Sequence, residues 1–264
     1  MASRMNNLTG KEWLQLSFTI WRDLVKTIEE KANKHPASFP ASLVERILRI
    51  YLSDTHKLVL DPFVGTGTTL LAAQKLGHNS VGFDLSEAYC KLSAQNVENA
   101  KGLWEHVGVR SQVINTDSRR LLEFVPPSSV DIAITSPPYW NILNQARTVD
   151  KRNITGYSEM SEDLGNIDDY SAFLLSLKEV FTQVYAALKP NARCISVVMD
   201  IRKKDKFFPL HEDQTRIMKE IGFELEEYVI WDRQRDYNNM KTLGYPWVFR
   251  FNRVHEFICV YWKR

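Results

Sequence analysis

"KLVLDPFVGTGTTLLAAQKL" (residues 57–76) is the stretch on which the fold turns. Residues 57–61 are an apolar run closed by Asp61, the pattern of a strand buried on both faces. Gly65 and Gly67 then allow a tight turn, and a helix follows through "TTLLAAQKL". The same order continues outward. Residues 80–84, 111–117, 130–135 and 192–200 read as further short strands, with helices over 86–100, 171–188 and 211–221. Two last strands are expected at 223–231 and 255–262. This alternation predicts an α/β fold, a doubly wound, mostly parallel sheet of seven strands. The final pair, joined only by a loop, is expected to run antiparallel at one edge.

Upstream, residues 1–34 read as a helical extension. Thr9 with Glu12 forms a capping box, and Trp13, Leu16, Ile20, Leu24 and Ile28 recur at helical spacing, predicting a helix over 9–32. Pro36 and Pro40 place a loop at 33–40, before a helix over 42–52. The chain has 264 residues, 44% of them apolar and 25% charged, the balance of an ordinary globular protein. No stretch approaches the roughly 20 apolar residues of a membrane span. The segment "MASRMNNLTGKEW" carries no apolar signal region, so the expected location is the cytoplasm. Cys90, Cys194 and Cys259 are isolated, as expected of reduced, buried thiols, and no Cys/His spacing calls for a metal. A net charge of +2 means that any nucleic-acid partner has to be met by a local basic surface.

Ligands of doubly wound sheets sit at the carboxyl ends of the strands. The turn at 61–68 lacks the Gly-Lys-Ser/Thr of a phosphate-cradling loop. It also lacks the third glycine of a dinucleotide fingerprint, with Ala72 or Ala73 in that region. S-adenosylmethionine, a cationic cofactor without phosphates, suits carboxylates instead. Asp61 is placed to attract its ammonium, Asp84 to hold ribose hydroxyls, and Asp117 to accept from the adenine amino group. Any one of these reads equally well as a turn former or helix cap. Three at successive strand ends beside a Gly-x-Gly turn form a more specific pattern.

At these residues the chain resembles the amino-methylating DNA methyltransferases. "DPFVGTGTT" (61–69) and "LGHNSVGFDLS" (76–86) are similar to that family's first two motifs, and "NTDSRRL" (115–121) to its third. "HPASFP" (35–40) resembles the segment lining the methionine end of the cofactor, and "TSPPYW" (135–140) matches motif IV. The late strands resemble the family's as well, with an Arg-x-x-Glu element at Arg253 and Glu256. The resemblance covers about residues 35–264 and implies a Rossmann-like class I methyltransferase domain there. It implies S-adenosylmethionine as cofactor, contacted by Phe39, Asp61, Phe63, Gly65, Gly67, Thr68, Asp84, Leu85 and Asp117. Motif I precedes motif IV here, permuted relative to the subgroup with similar glycine turns.

"TSPPYWN" (135–141) follows the apolar run "VDIAI". An exocyclic amino group is a poor nucleophile because its lone pair is delocalised into the base. Accepting both amino hydrogens frees that lone pair, and Ser136 Oγ with the Pro137 carbonyl are the expected acceptors. Pro137 and Pro138 fix the backbone and carry no competing N–H. Such preorganisation suits direct methyl transfer. Tyr139 is expected to offer a ring face to a base flipped out of the duplex. None of the three cysteines follows a proline, so carbon-5 methylation through a thiolate is not indicated. In the family resembled, Ser at this position accompanies cytosine N4, and Asp more often adenine N6. Ser136 thus implies cytosine N4, with adenine N6, RNA or protein glutamine as alternative targets and an inactive recognition subunit as another class.

The expected partners are double-stranded DNA and, as a further candidate, a cognate restriction endonuclease. Two segments interleave basic and aromatic residues as DNA contact requires. One is 141–168, with Arg147, Lys151 and Arg152; the other is 232–250, with Arg233, Arg235, Tyr237, Lys241 and Arg250. The run "RKKDK" (202–206) reads as a solvated turn.

Overall fold

A computed structural model describes residues 4–27, 39–54, 57–104, 106–141, 163–236 and 242–264. Among these, ten strands form one large sheet and one small hairpin. Strands β1 (Ile20–Trp21), β2 (Leu58–Asp61), β3 (Asn79–Asp84), β4 (Ser111–Asn115) and β5 (Val130–Thr135) belong to the large sheet. So do β6 (Leu188–Val198), β9 (Glu224–Asp232) and β10 (His255–Trp262). The order across it is β1-β9-β10-β6-β5-β2-β3-β4, eight strands rather than seven. The hairpin pairs β7 (Ile201–Lys203) with β8 (Lys206–Phe208).

The helices are α1 (Gly10–Leu16), α2 (Ala41–Tyr51), α3 (Thr68–Lys75), α4 (Glu87–Asn99), α5 (Tyr170–Ala187) and α6 (Leu210–Ile221). Strand side chains alternate between two cores, which is why the sequence shows continuous apolar runs. Leu60, Ala133, Cys194 and Val198 face α5 and α6, meeting Phe173, Leu177, Phe181 and Met218. Val59, Ile132, Ile134, Ile195 and Val197 face the opposite way, onto Leu43, Val44, Ile47 and Leu48 of α2 and Ala72 and Ala73 of α3. The three thiols are buried and unbridged.

Two expectations need correction. The reversed strand, β10, is antiparallel to both neighbours but lies between β6 and β9 rather than at the edge. The helix expected over 9–32 stops at Leu16, though its capping box is present, with the Glu12 amide donating to Thr9 Oγ1. The chain then extends, and Ile20–Trp21 add a parallel edge strand to β9. Trp21 and Leu24 are buried in the second core, while α1 buries none of its residues. Sheet pairing and burial of Trp21 override a helical spacing that had no surface to pack on. Residues 28–32 of that expected helix, and 33–38 of the expected loop, lie outside the described residues.

Candidate active site

β5, β2 and β3 are adjacent and parallel, so Thr135, Asp61 and Asp84 stand at neighbouring strand ends. Asp61 is the hub. It accepts hydrogen bonds from Thr135 Oγ1 at 2.6 Å, Thr69 Oγ1 at 2.6 Å and the Phe63 amide at 3.0 Å. The Thr135 bond ties the strand before Ser136 directly to the glycine turn. Burial pushes the Asp61 carboxyl up to about 6, against the lowering effect of its hydrogen bonds to Thr135, Thr69 and Phe63. Asp84 is also raised to about 6, chiefly by burial, although the Ser86 and Gly65 amides donate to it at 2.9 and 3.0 Å. Asp117 caps the 3₁₀ turn Ser118–Glu123 and holds the Arg119 guanidinium at 2.5–3.1 Å. Asp84 and Asp117 are therefore turn formers as well as strand-end acids.

The turn needs both glycines, for different reasons. Gly65 has φ +51° and donates to Asp84. Gly67 has φ +88°, and a Cβ there would stand 2.4 Å from Ser93 Oγ on α4. Gly67 is thus a packing and N-cap residue of α3 and does not border the cavity.

The cavity lies between this turn and the Ser136 turn, with an empty volume of about 900 Å³ that includes its open mouth. It is lined by Phe39, Asp61, Phe63, Gly65, Thr68, Asp84, Leu85 and Asp117, and on the other side by Ser136 and Pro138. Of the residues expected to contact ligand or substrate around it, Gly67, Pro137 and Tyr139 are the ones that do not line it. Asp163 and Leu164 complete the wall. They fall in a segment assigned from sequence to DNA contact, and no local signal marked them. The described lining thus carries four carboxylates and no Lys, Arg or His.

The Ser136 turn is anchored from behind. Tyr139 OH is 3.0 Å from Ser136 Oγ and donates to Glu256 Oε2 at 2.9 Å, with a longer contact to the Val197 carbonyl at 3.4 Å. Glu256 is buried and ion-paired with Arg233. Glu256 as a carboxylate only accepts, so the single Tyr139 proton points to it. Ser136 must then donate its own proton to Tyr139, which leaves the Ser136 lone pairs facing the cavity as acceptors. Among the described residues no donor binds the Pro137 carbonyl. The Tyr139 ring packs against the first core rather than into the cavity. Its expected role as a ring face is replaced by that of a hydroxyl anchor. Trp140 is buried beside Tyr170 and Phe208, and its Nε1 donates to the Ile167 carbonyl at 2.7 Å.

Of the candidate DNA contacts, Arg147, Lys151, Arg152, Tyr237 and Lys241 lie outside the described residues. Arg233 turns inward onto Glu256 and Asp236, so its charge serves the Tyr139 anchor. Arg235 is exposed. Arg250 pairs with Asp205 and donates to the Lys204 carbonyl at 3.2 Å.

The chain matches the DNA methylase family of N6 and N4 methyltransferases over residues 3–95 and 130–264. The Type II methyltransferase M2.DpnII of Streptococcus pneumoniae is 39% identical over 82 residues, 30% of each chain. The tRNA (guanine(10)-N2)-dimethyltransferase of Pyrococcus abyssi is 34% identical over 114 residues, 42% of this chain and 32% of that one. The matches span a third or less of these relatives' length. Among solved structures, a SAM-dependent methyltransferase from Methanosarcina mazei aligns over 82% of this chain and 96% of its own. Its TM-score is 0.53 at 15% identity, a likeness of fold.

Proposed function

From the premise that this chain belongs to the N6/N4 DNA methylase family, we propose that it methylates the N4 amino group of a cytosine flipped out of duplex DNA. The observation that carries this reading is the shared cavity. One wall is the Asp61–Gly65 turn, the other is Ser136 and Pro138, and Thr135 bonds the two at 2.6 Å. Four carboxylates without a lining cation disfavour a polyphosphate nucleotide and fit a cofactor that carries positive charge. Phe39, Phe63, Leu85 and Val180 add apolar surface to the same cavity. S-adenosylmethionine fits this donor set and supplies, when bound, an electrophilic methyl group.

The chain's own residues do the rest. Asp61 and Asp84 offer carboxylates to the ammonium and ribose hydroxyls. Ser136 Oγ and the Pro137 carbonyl accept the two amino hydrogens of the target base. Methylation would require that nitrogen to shed one proton, and Ser136 Oγ and the Pro137 carbonyl are the acceptors that would hold it on its way to solvent. Glu256 and Arg233 keep Ser136 in its accepting orientation through Tyr139. Serine at position 136 supports cytosine N4 over adenine N6. The similarity to Type II methyltransferases supports a role beside a restriction endonuclease.

A second reading, RNA as substrate, is favoured by the relative from Pyrococcus abyssi, whose name assigns it to tRNA. Incubation with methyl-labelled S-adenosylmethionine, duplex DNA and tRNA, followed by nucleoside analysis, separates the readings. Labelled 4-methylcytosine in DNA is expected. Label at adenine N6 changes the target base, and label in RNA alone rejects the DNA reading.

A further inference from the structure

The β7–β8 hairpin holds like charges together without a counter-ion among the described residues. Lys203 and Lys206 are directly opposed in its register, and Arg202 faces Phe207. Opposed like charges destabilise a strand pair. Arg202 and Arg253 both stand over the Phe207 ring, at 5.5 and 5.6 Å from its centroid. The Arg253 Nε is buried and has no hydrogen-bond partner. Among the described residues none of Arg202, Lys203, Lys204, Lys206 and Arg253 is ion-paired. The nearby carboxylates are engaged elsewhere, Asp205 by Arg250 and Asp200 by His211 Nδ1 at 2.6 Å. A cluster of this kind is complementary to a polyanion.

Its position ties it to the site. Lys203 Nζ donates to Asn141 Oδ1 at 3.1 Å and sits 4.1 Å over the Trp140 ring. Both partners directly follow the Ser136–Tyr139 turn. Beside the hairpin, held by the Arg250–Asp205 pair, runs a segment with Tyr245, Trp247, Phe249 and Phe251 exposed by 79–89%. Rings so exposed next to unpaired cations are the two components of a nucleic-acid contact, stacking and phosphate neutralisation.

We propose that the β7–β8 hairpin and Arg253 form a phosphate clamp that holds the DNA backbone next to the nucleotide presented to Ser136, with the ring-bearing segment as its base-facing flank. This rests on the DNA reading above. It places a binding surface on a charge run that the sequence pattern assigns to solvent.

The test is duplex binding and methyl transfer by the full chain across a salt series, for wild type, Arg202→Gln/Lys206→Gln, Arg253→Gln and the charge-keeping Arg202→Lys. Both substituted side chains of the double variant project from an exposed hairpin, so folding is preserved. Losing two phosphate contacts should reduce the slope of log K against log salt by about 2. The KM for DNA should rise at least tenfold, with the loss in KM rather than kcat and no change in cofactor affinity. Arg202→Lys should keep the wild-type slope. An unchanged slope and KM in an enzyme that still methylates DNA overturns the clamp alone. Wild type that neither binds nor methylates duplex DNA overturns the DNA reading and the clamp with it. A slope lost on RNA and not on DNA assigns the surface to RNA and rejects the proposal as stated.

Discussion

The two sides of the Ser136 turn follow opposite rules. On the glycine-turn side the strand-end acids are internally bonded: Asp61 takes three donors, Asp84 two amides and Asp117 an arginine. On the hairpin side, Arg202, Lys203, Lys206 and Arg253 meet no carboxylate among the described residues, and four aromatic rings lie open to water. A pocket for a small ligand gains from groups already fixed in place, because little order then has to be imposed on binding. A surface for a long polyanion gains from charges that stay unpaired until the partner arrives. Substitutions on the first side should therefore act on the fold and on the cofactor together. Those on the second should act on the partner alone.

The largest effect is expected at the hub. Asp61→Ala leaves two buried hydroxyls and a partly buried amide without their acceptor. It should weaken S-adenosylmethionine binding more than a hundredfold and destabilise the fold by about 3 kcal/mol, read by calorimetry and urea unfolding. A folded, full-affinity variant would remove the distinction between the two sides. Gly67→Ala forces a side chain into φ +88° and against Ser93, and should cost about 2 kcal/mol of stability in the same unfolding assay.

Glu256→Gln should lower kcat about tenfold, roughly 1.4 kcal/mol, while cofactor Kd stays unchanged. The amide can donate to Tyr139 and so lets the Tyr139 proton turn toward Ser136. Equal loss of kcat and cofactor affinity would make Glu256 a general scaffold rather than a positioning residue. Pro137→Ala should likewise reduce turnover more than cofactor affinity.

Acid should act on stability and binding in opposite directions. Burial raises both Asp61 and Asp84 to about 6, so the fold favours their protonated forms. Their contribution to stability is fully present below the unfolded value near 4 and is lost as pH rises through about 6. Between pH 7 and pH 5 the apo protein should gain stability while affinity for the cationic cofactor falls, by up to tenfold per pH unit below 6. The smallest effect is that of Arg202→Gln/Lys206→Gln on thermal stability, within about 0.5 kcal/mol of wild type.

The features visible in the sequence were those with local causes. Strands buried on both faces leave continuous apolar runs, so the sheet and its helices were readable within a few residues. The strand-end acids and the Gly65–Gly67 turn were readable for the same reason. Asp163 was not, because it reaches the cavity from a distant segment and no spacing announces that. The partner of Glu256 was also hidden. The Arg-x-x-Glu spacing points to Arg253, whereas the ion pair is made with Arg233 on the neighbouring strand end. β1 is hidden because Trp21 and Leu24 stand at the i, i+3 spacing of a helix face, whereas they are buried by a two-residue strand and the irregular chain after it. The charge of the hairpin was visible, but the opposed lysines appear only once the register is known.

The most direct measurement is a crystal structure of the protein with sinefungin, an unreactive analogue of the cofactor. Density is predicted in the cavity between the Asp61–Gly65 turn and Ser136–Pro138, with the analogue's amine end nearer Asp61 than Asp117. An analogue bound on another face of the sheet, or a cavity filled by the protein's own side chains at saturating ligand, would contradict the account.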